Sequence, residues 1–185
     1  MSSKAEILNF PINSTKSVAN LVFIGFSVLS FIVPFFLAGP QWLTGTIINT
    51  CLFLTAVFLP KKFFFPLAVF PRLAVLARGI IFGSFTPFLA YFLPFIWLGN
   101  LILILVFKKL YQKISYSGYL LSAVLASSAK FVFLLAVANA YFDFQLVPAV
   151  FLQAMGINQL FTALAGGLIS FIVFKAFYRQ KWLKI

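Results

Sequence analysis

Six apolar runs, near residues 17–38, 42–59, 63–82, 87–107, 118–141 and 157–177, fill this chain, parted by short basic, Gly, Pro or amide-bearing breaks. A helix crosses a hydrocarbon layer of about 30 Å with roughly 20 residues, so most of these runs are long enough to span one. Inside lipid a backbone has to satisfy its own hydrogen bonds, which commits such runs to helices. The expected fold is all-α: a polytopic membrane protein with six transmembrane helices in one bundle over 17–178. A cytoplasmic segment over 1–16 precedes it and a basic cytoplasmic tail over 179–185 follows. The third run is the weakest, because it contains Pro66, Pro71, Arg72 and Arg78; a broken or re-entrant helix is the alternative there.

Only 9% of the residues are charged and 63% are hydrophobic, whereas a soluble domain carries roughly 25% charge. The net charge of +12 comes from 14 Lys and Arg against Glu6 and Asp143. The cations fall in alternate breaks: Lys4 and Lys16, then Lys61 and Lys62, then Lys108, Lys109 and Lys113, then Lys175, Arg179, Lys181 and Lys184. The intervening breaks hold no Lys or Arg, and the last of them holds Asp143. By the positive-inside rule this alternation fits six spans with both termini cytoplasmic. It gives the charge a topological reading and leaves no basic domain for nucleic acid, while anionic membrane lipid is attracted to the same clusters.

The chain has no His and a single Cys, Cys51. Cys/His metal sites, internal disulfides and thiol–imidazole catalysis are therefore excluded. Neither paired carboxylates nor a phosphate-cradling Gly loop is present, and Ser127 or Ser128 beside Lys130 is a coincidence of helical spacing. The expectation is a protein that is not an enzyme and holds no cofactor or metal. Residues 1–16 are too polar for a signal-peptide core, so the first run reads as a retained span. The connection over 143–156, apolar from Leu146 to Leu152, reads as a short interfacial helix or cap.

Arg72, Arg78 and Lys130 lie inside apolar runs, where an unpaired cation costs on the order of 3 kcal/mol or more. Lys130 stands about 18 Å up the fifth run, near mid-membrane. No carboxylate lies within any run, so an anionic ligand, a lipid headgroup, backbone carbonyls or Asp143 are the available partners. Ala123, Ser127 and Lys130 share a helical face, with Asn139 higher on the same run. Asn158, Gln159 and Thr162 begin the sixth run and lead into Ala163, Gly166 and Gly167. Gln41, Trp42, Thr44 and Asn49 begin the second, and Trp97 and Asn100 lie in the fourth. Polar groups thus gather at the outer ends, as in a pocket open to the outside. Arg78, Lys130, Asn139, Asn158 and Gln159 are the expected ligand contacts, with Gln41, Asn49 and Asn100 next.

Four stretches carry a family resemblance: Gln41-Trp-Leu-Thr-Gly-Thr-Ile-Ile-Asn49, Leu93-Pro-Phe-Ile-Trp-Leu-Gly-Asn100, Ala129-Lys130-Phe131, and Met155-Gly-Ile-Asn-Gln-Leu-Phe-Thr-Ala-Leu-Ala-Gly-Gly167. Over about residues 33–175 the chain resembles small bacterial membrane proteins similar to the S components of energy-coupling factor (ECF) transporters. Some of these carry an "iron hydrogenase" label, a chemistry that one Cys rules out. The resemblance implies a six-helix, substrate-binding subunit of the bacterial cell membrane that takes a small-molecule substrate from outside. It also implies partners: a membrane-embedded ECF coupling protein and two cytoplasmic ATPases. One feature departs. The Ala-x-x-x-Ala face that many S components present in their first span is absent, Ala19 being followed four residues on by Phe23. A structural or assembly subunit of a membrane complex is the alternative function.

Overall fold

The computed structural model describes residues 16–36, 41–78, 87–114 and 118–182. Its α-helices are α1 (Lys16–Phe36), α2 (Gln41–Phe58), α3 (Phe64–Arg78), α4 (Leu89–Ile114), α5 (Tyr119–Asp143), α6 (Val150–Met155) and α7 (Ile157–Trp182). A 3-10 turn over Lys61–Phe63 leads into α3. No strand occurs among the described residues. Among the described residues five segments are long and apolar enough to cross a membrane: α1, α2, α4, α5, and α6 with α7. The chain is therefore an all-helical, multi-pass membrane protein.

The third run forms a continuous helix as far as Arg78 despite Pro71, but its last part, 79–82, lies outside the described residues. Pro71 has no N–H, so the Leu67 carbonyl one turn back loses its helical donor. Pro34 in α1 and Pro94 in α4 open their helices in the same way. The fourth and sixth runs are longer helices than the apolar residues alone require. The helix α4 continues through Lys108 and Lys109 to Ile114, and α7 continues to Trp182. The expected cap after the fifth run is α6, which Gly156 separates from α7; a Cβ there would stand 2.5 Å from the Leu152 carbonyl.

Consecutive long helices run antiparallel, which places α2, α4 and α7 parallel to one another. The cross-contacts show it. Along α2 and α7, Asn49 meets Thr162, Thr50 meets the Gly166 carbonyl, and Phe58 meets Phe174. Along α4 and α5 the order reverses, Phe107 meeting Tyr119 and Phe92 meeting Tyr141. As a result Lys61, Lys62, Lys108, Lys109 and Lys175 gather at one end of the bundle and Asp143 at the other. At the basic end Lys108 reaches the Leu59 carbonyl at 3.4 Å and lies over the Phe64 ring, its stem kept along apolar surface.

Two apolar layers make up the core. Near the basic end, Leu52, Phe53, Leu103, Ile104, Phe107, Tyr119, Ala123, Ala126 and Phe174 pack together. Towards Asp143, Leu89, Phe92, Ile96, Leu134, Ala138, Phe151 and Met155 form the second layer. Between them, at the level of Asn100 on α4 and Lys130 on α5, the core turns polar. Helix α1 stays at the edge, touching α2 and α3 and turning Leu21, Ile24, Val28 and Ile32 outward.

Candidate functional site

The polar layer is built by five helices. Small residues on α5 (Ala123, Ala126 and Ser127 are all buried) let that helix approach its neighbours closely enough for the Lys130 stem to cross the core. Lys130 is 2% exposed, and its Nζ donates to Asn49 Oδ1 at 2.8 Å and to Asn100 Oδ1 at 2.9 Å. An ammonium has no acceptor, so both amides have to turn their carbonyls towards it. Their NH2 groups then point away: Asn49 Nδ2 donates to Thr162 Oγ1 at 3.2 Å, and Asn100 Nδ2 donates to the Ala68 carbonyl at 2.9 Å. Thr162 passes its own proton to the Gln159 carbonyl at 3.2 Å. One ordered chain of hydrogen bonds therefore links α3, α4, α5, α2 and α7, every donor pointing outward from Lys130.

Backbone proximity makes this chain possible. A Cβ on Gly166 would stand 2.8 Å from Asn49 Cβ and from the Thr50 backbone nitrogen, and one on Gly45 3.0 Å from Thr162 Cγ2. Glycine at these two positions lets α2 and α7 close until Asn49 and Thr162 can bond.

The charge of Lys130 is not matched by an acid. Asp143, the only carboxylate among the described residues, is exposed and lies 13 residues further along α5, about 20 Å away at 1.5 Å per residue. Arg72 on α3 is half-buried and lies one helical turn from Ala68, whose carbonyl accepts from Asn100. The indole Nε1 of Trp97 and the Oγ atoms of Ser122 and Ser127 are buried without a hydrogen-bond partner. Ser127 therefore makes no bond to Lys130.

A second polar group forms at the start of α2 and α7. Gln41 Nε2 donates to the Ala154 carbonyl at 3.0 Å, Gln159 Nε2 reaches the same carbonyl at 3.4 Å, and Asn158 Nδ2 donates to Gln41 Oε1 at 3.4 Å. Beyond it, after α5, a cavity of about 580 Å³ is lined by Phe88, Phe142, Asp143, Gln145, Leu146, Val147 and Pro148. The turn here is a Schellman cap, with Leu146 N–H on the Tyr141 carbonyl and Gln145 N–H on the Phe142 carbonyl, and Gln145 is left-handed at φ 58°.

Of the expected contacts, Lys130, Asn49 and Asn100 meet at one point, and Gln41, Asn158 and Gln159 meet at another. Asn139 belongs to neither. It is exposed and donates to the Leu135 carbonyl of its own helix. Nine residues at 100° each put it 180° from Lys130, so height on the helix alone was misleading. Arg78 ends α3, and its side chain lies outside the described residues. Thr162 and the Ala68 carbonyl complete the network without having been singled out as contacts. Thr162 was visible only as part of the small and polar stripe opening α7, and a backbone carbonyl has no sequence signal.

No family model, curated protein or solved structure matches this chain.

Proposed function

We propose that this chain is a six-span substrate-binding subunit of the bacterial cell membrane. Its role is like that of an ECF-transporter S component, taking a small nutrient from the outer face. One observation carries the reading: a lysine ammonium fixed in mid-bundle by two amide carbonyls, with no acid beside it among the described residues. Desolvating a charge costs several kcal/mol, and a pair of apolar residues would hold these helices together more cheaply. A cation kept there is best explained by something it binds. The residues that fix it, Asn49 and Asn100, orient its ammonium, and the Gln41, Asn158 and Gln159 group lies above it towards the outer end.

The topology in this reading follows from the charge distribution. The basic end faces the cytoplasm by the positive-inside rule, which puts both termini there, and α3 belongs to the sixth crossing. The resemblance to S components assigns ATP hydrolysis to partners, a membrane-embedded coupling protein and two cytoplasmic ATPases. The chain itself binds and confers specificity.

A structural subunit is the second reading, favoured by the completeness of the two asparagine bonds, which make Lys130 a clamp between helices. Affinity purification of the tagged full-length protein from mild detergent, followed by mass spectrometry, separates the two. Recovery of ATPases with a coupling protein supports the binding subunit. Recovery of an unrelated membrane complex with lipid alone supports the clamp and overturns the binding reading.

A further inference from the structure

The donors around Lys130 outnumber the acceptors. Lys130 carries three N–H groups, and two of them are used on Asn49 and Asn100. Each amide carbonyl accepts one of those bonds, and the NH2 groups turn to Thr162 and Ala68. The bond from Asn100 to Ala68 also fixes the register of the antiparallel pair α3 and α4. One turn from Ala68 towards the Asp143 end is Arg72, and one turn from Asn100 in the same direction is Trp97. Arg72 brings five further donors and a second positive charge to that level of the bundle. The Trp97 indole is a donor only, and its nitrogen is buried without a partner. Arg72 and the Trp97 indole thus stand one turn from Lys130's polar layer on the side that faces Asp143, and the only carboxylate among the described residues is about 20 Å along α5.

Like charges at this depth repel with little screening, and a neutral ligand would leave that repulsion in place. A cationic ligand would add to it. An oxyanion removes it and supplies the missing acceptors, several lone pairs on one small group, in a geometry that Arg recognises well. We propose that the site takes an anionic oxygen group, a carboxylate or phosphate, between the third N–H of Lys130, the Arg72 guanidinium and the Trp97 indole N–H. The inference rests on the binding-subunit reading and names the substrate class of its site. The anion has two sources, a soluble carboxylate or phosphate and the phosphodiester of a lipid.

Trp97 reports on the site directly. The full-length protein carrying Trp42→Phe and Trp182→Phe, in phosphatidylcholine nanodiscs, is titrated with inorganic phosphate and with acetate, and is prepared again with phosphatidylglycerol replacing part of the lipid. The expected result is a saturable change in Trp97 emission with at least one of the three. In Arg72→Gln the affinity falls about tenfold or more, the loss of one charged hydrogen bond, and Arg72→Lys restores part of it. A response to phosphate or acetate assigns a soluble ligand; a response to phosphatidylglycerol alone assigns a headgroup. An unchanged affinity in Arg72→Gln, with an unchanged thermal melt, overturns the proposal, as does silence towards all three probes. If the purified protein then still carries a neutral solute that Lys130→Met loses, the anionic class has failed and the binding reading stands. If it carries none, both fail.

Discussion

Lys130 and Asn49 meet at 2.8 Å across 81 positions of sequence, the lysine donating and the asparagine carbonyl accepting. That contact orients the Asn49 amide so that its nitrogen serves Thr162, and it ties α5 to α2 and α7 through one side chain. The polar layer is thus a single unit between two apolar ones, and its members are expected to respond to substitution together.

Replacing Asn49 by Leu removes one of the two acceptors of a buried ammonium and the donor to Thr162. The expected loss of stability is about 1–3 kcal/mol, read as a lower thermal midpoint in detergent. Lys130→Met also destabilises, by leaving two amide carbonyls unpaired. The double substitution costs less than the sum, with a coupling of about 0.5–3 kcal/mol. Strict additivity would mean that the two residues do not interact.

The two helices that carry Asn49 and Thr162 depend on a close approach at Gly166. Gly166→Ala would push a methyl against the Asn49 and Thr50 backbone and is expected to cost about 1–3 kcal/mol. Gly25, in α1, has nothing within 4 Å of the same added atom. Gly25→Ala is expected to be neutral or stabilising by up to about 1 kcal/mol, because alanine is the better helix former. Melting curves of both variants test the contrast in sign.

Gln145 ends α5 in the left-handed region, which a β-branched side chain resists. Gln145→Val is expected to lower stability by about 1–2 kcal/mol, and Gln145→Gly not to lower it. Equal melts for the two variants would mean that the cap is not formed.

The overall architecture was legible because hydrocarbon imposes a length and a hydrogen-bonding rule that composition displays openly. Lys130 was legible for the same reason, as a lone cation in an apolar run, and the Ala123, Ser127, Lys130 spacing identified its buried face. Periodicity gives the face of a helix but not its neighbour, so nothing in the sequence paired Lys130 with Asn49 and Asn100 rather than with Asn139. The pairing comes from packing, through glycines at 45 and 166 whose role appears only once α2 and α7 are side by side. Gln145 gave no turn signal, since its backbone conformation is more often filled by glycine.

Cysteine labelling tests the orientation. Cys51 is buried, and a Cys51→Ala background leaves no other thiol. In intact cells a membrane-impermeant maleimide is expected to label a cysteine placed at Gln145 and to spare one placed at Lys61 until the cells are opened. The reverse pattern would contradict the assignment of the basic end to the cytoplasm.

Native mass spectrometry of the full-length protein, released from mild detergent and compared with its Lys130→Met variant, addresses the central claim most directly. The account predicts a bound small molecule near one per chain in the original protein and its loss in the variant, with both proteins folded by circular dichroism. The same small-molecule complement in both, or none in either, would contradict a binding role for Lys130 and leave it a clamp between helices.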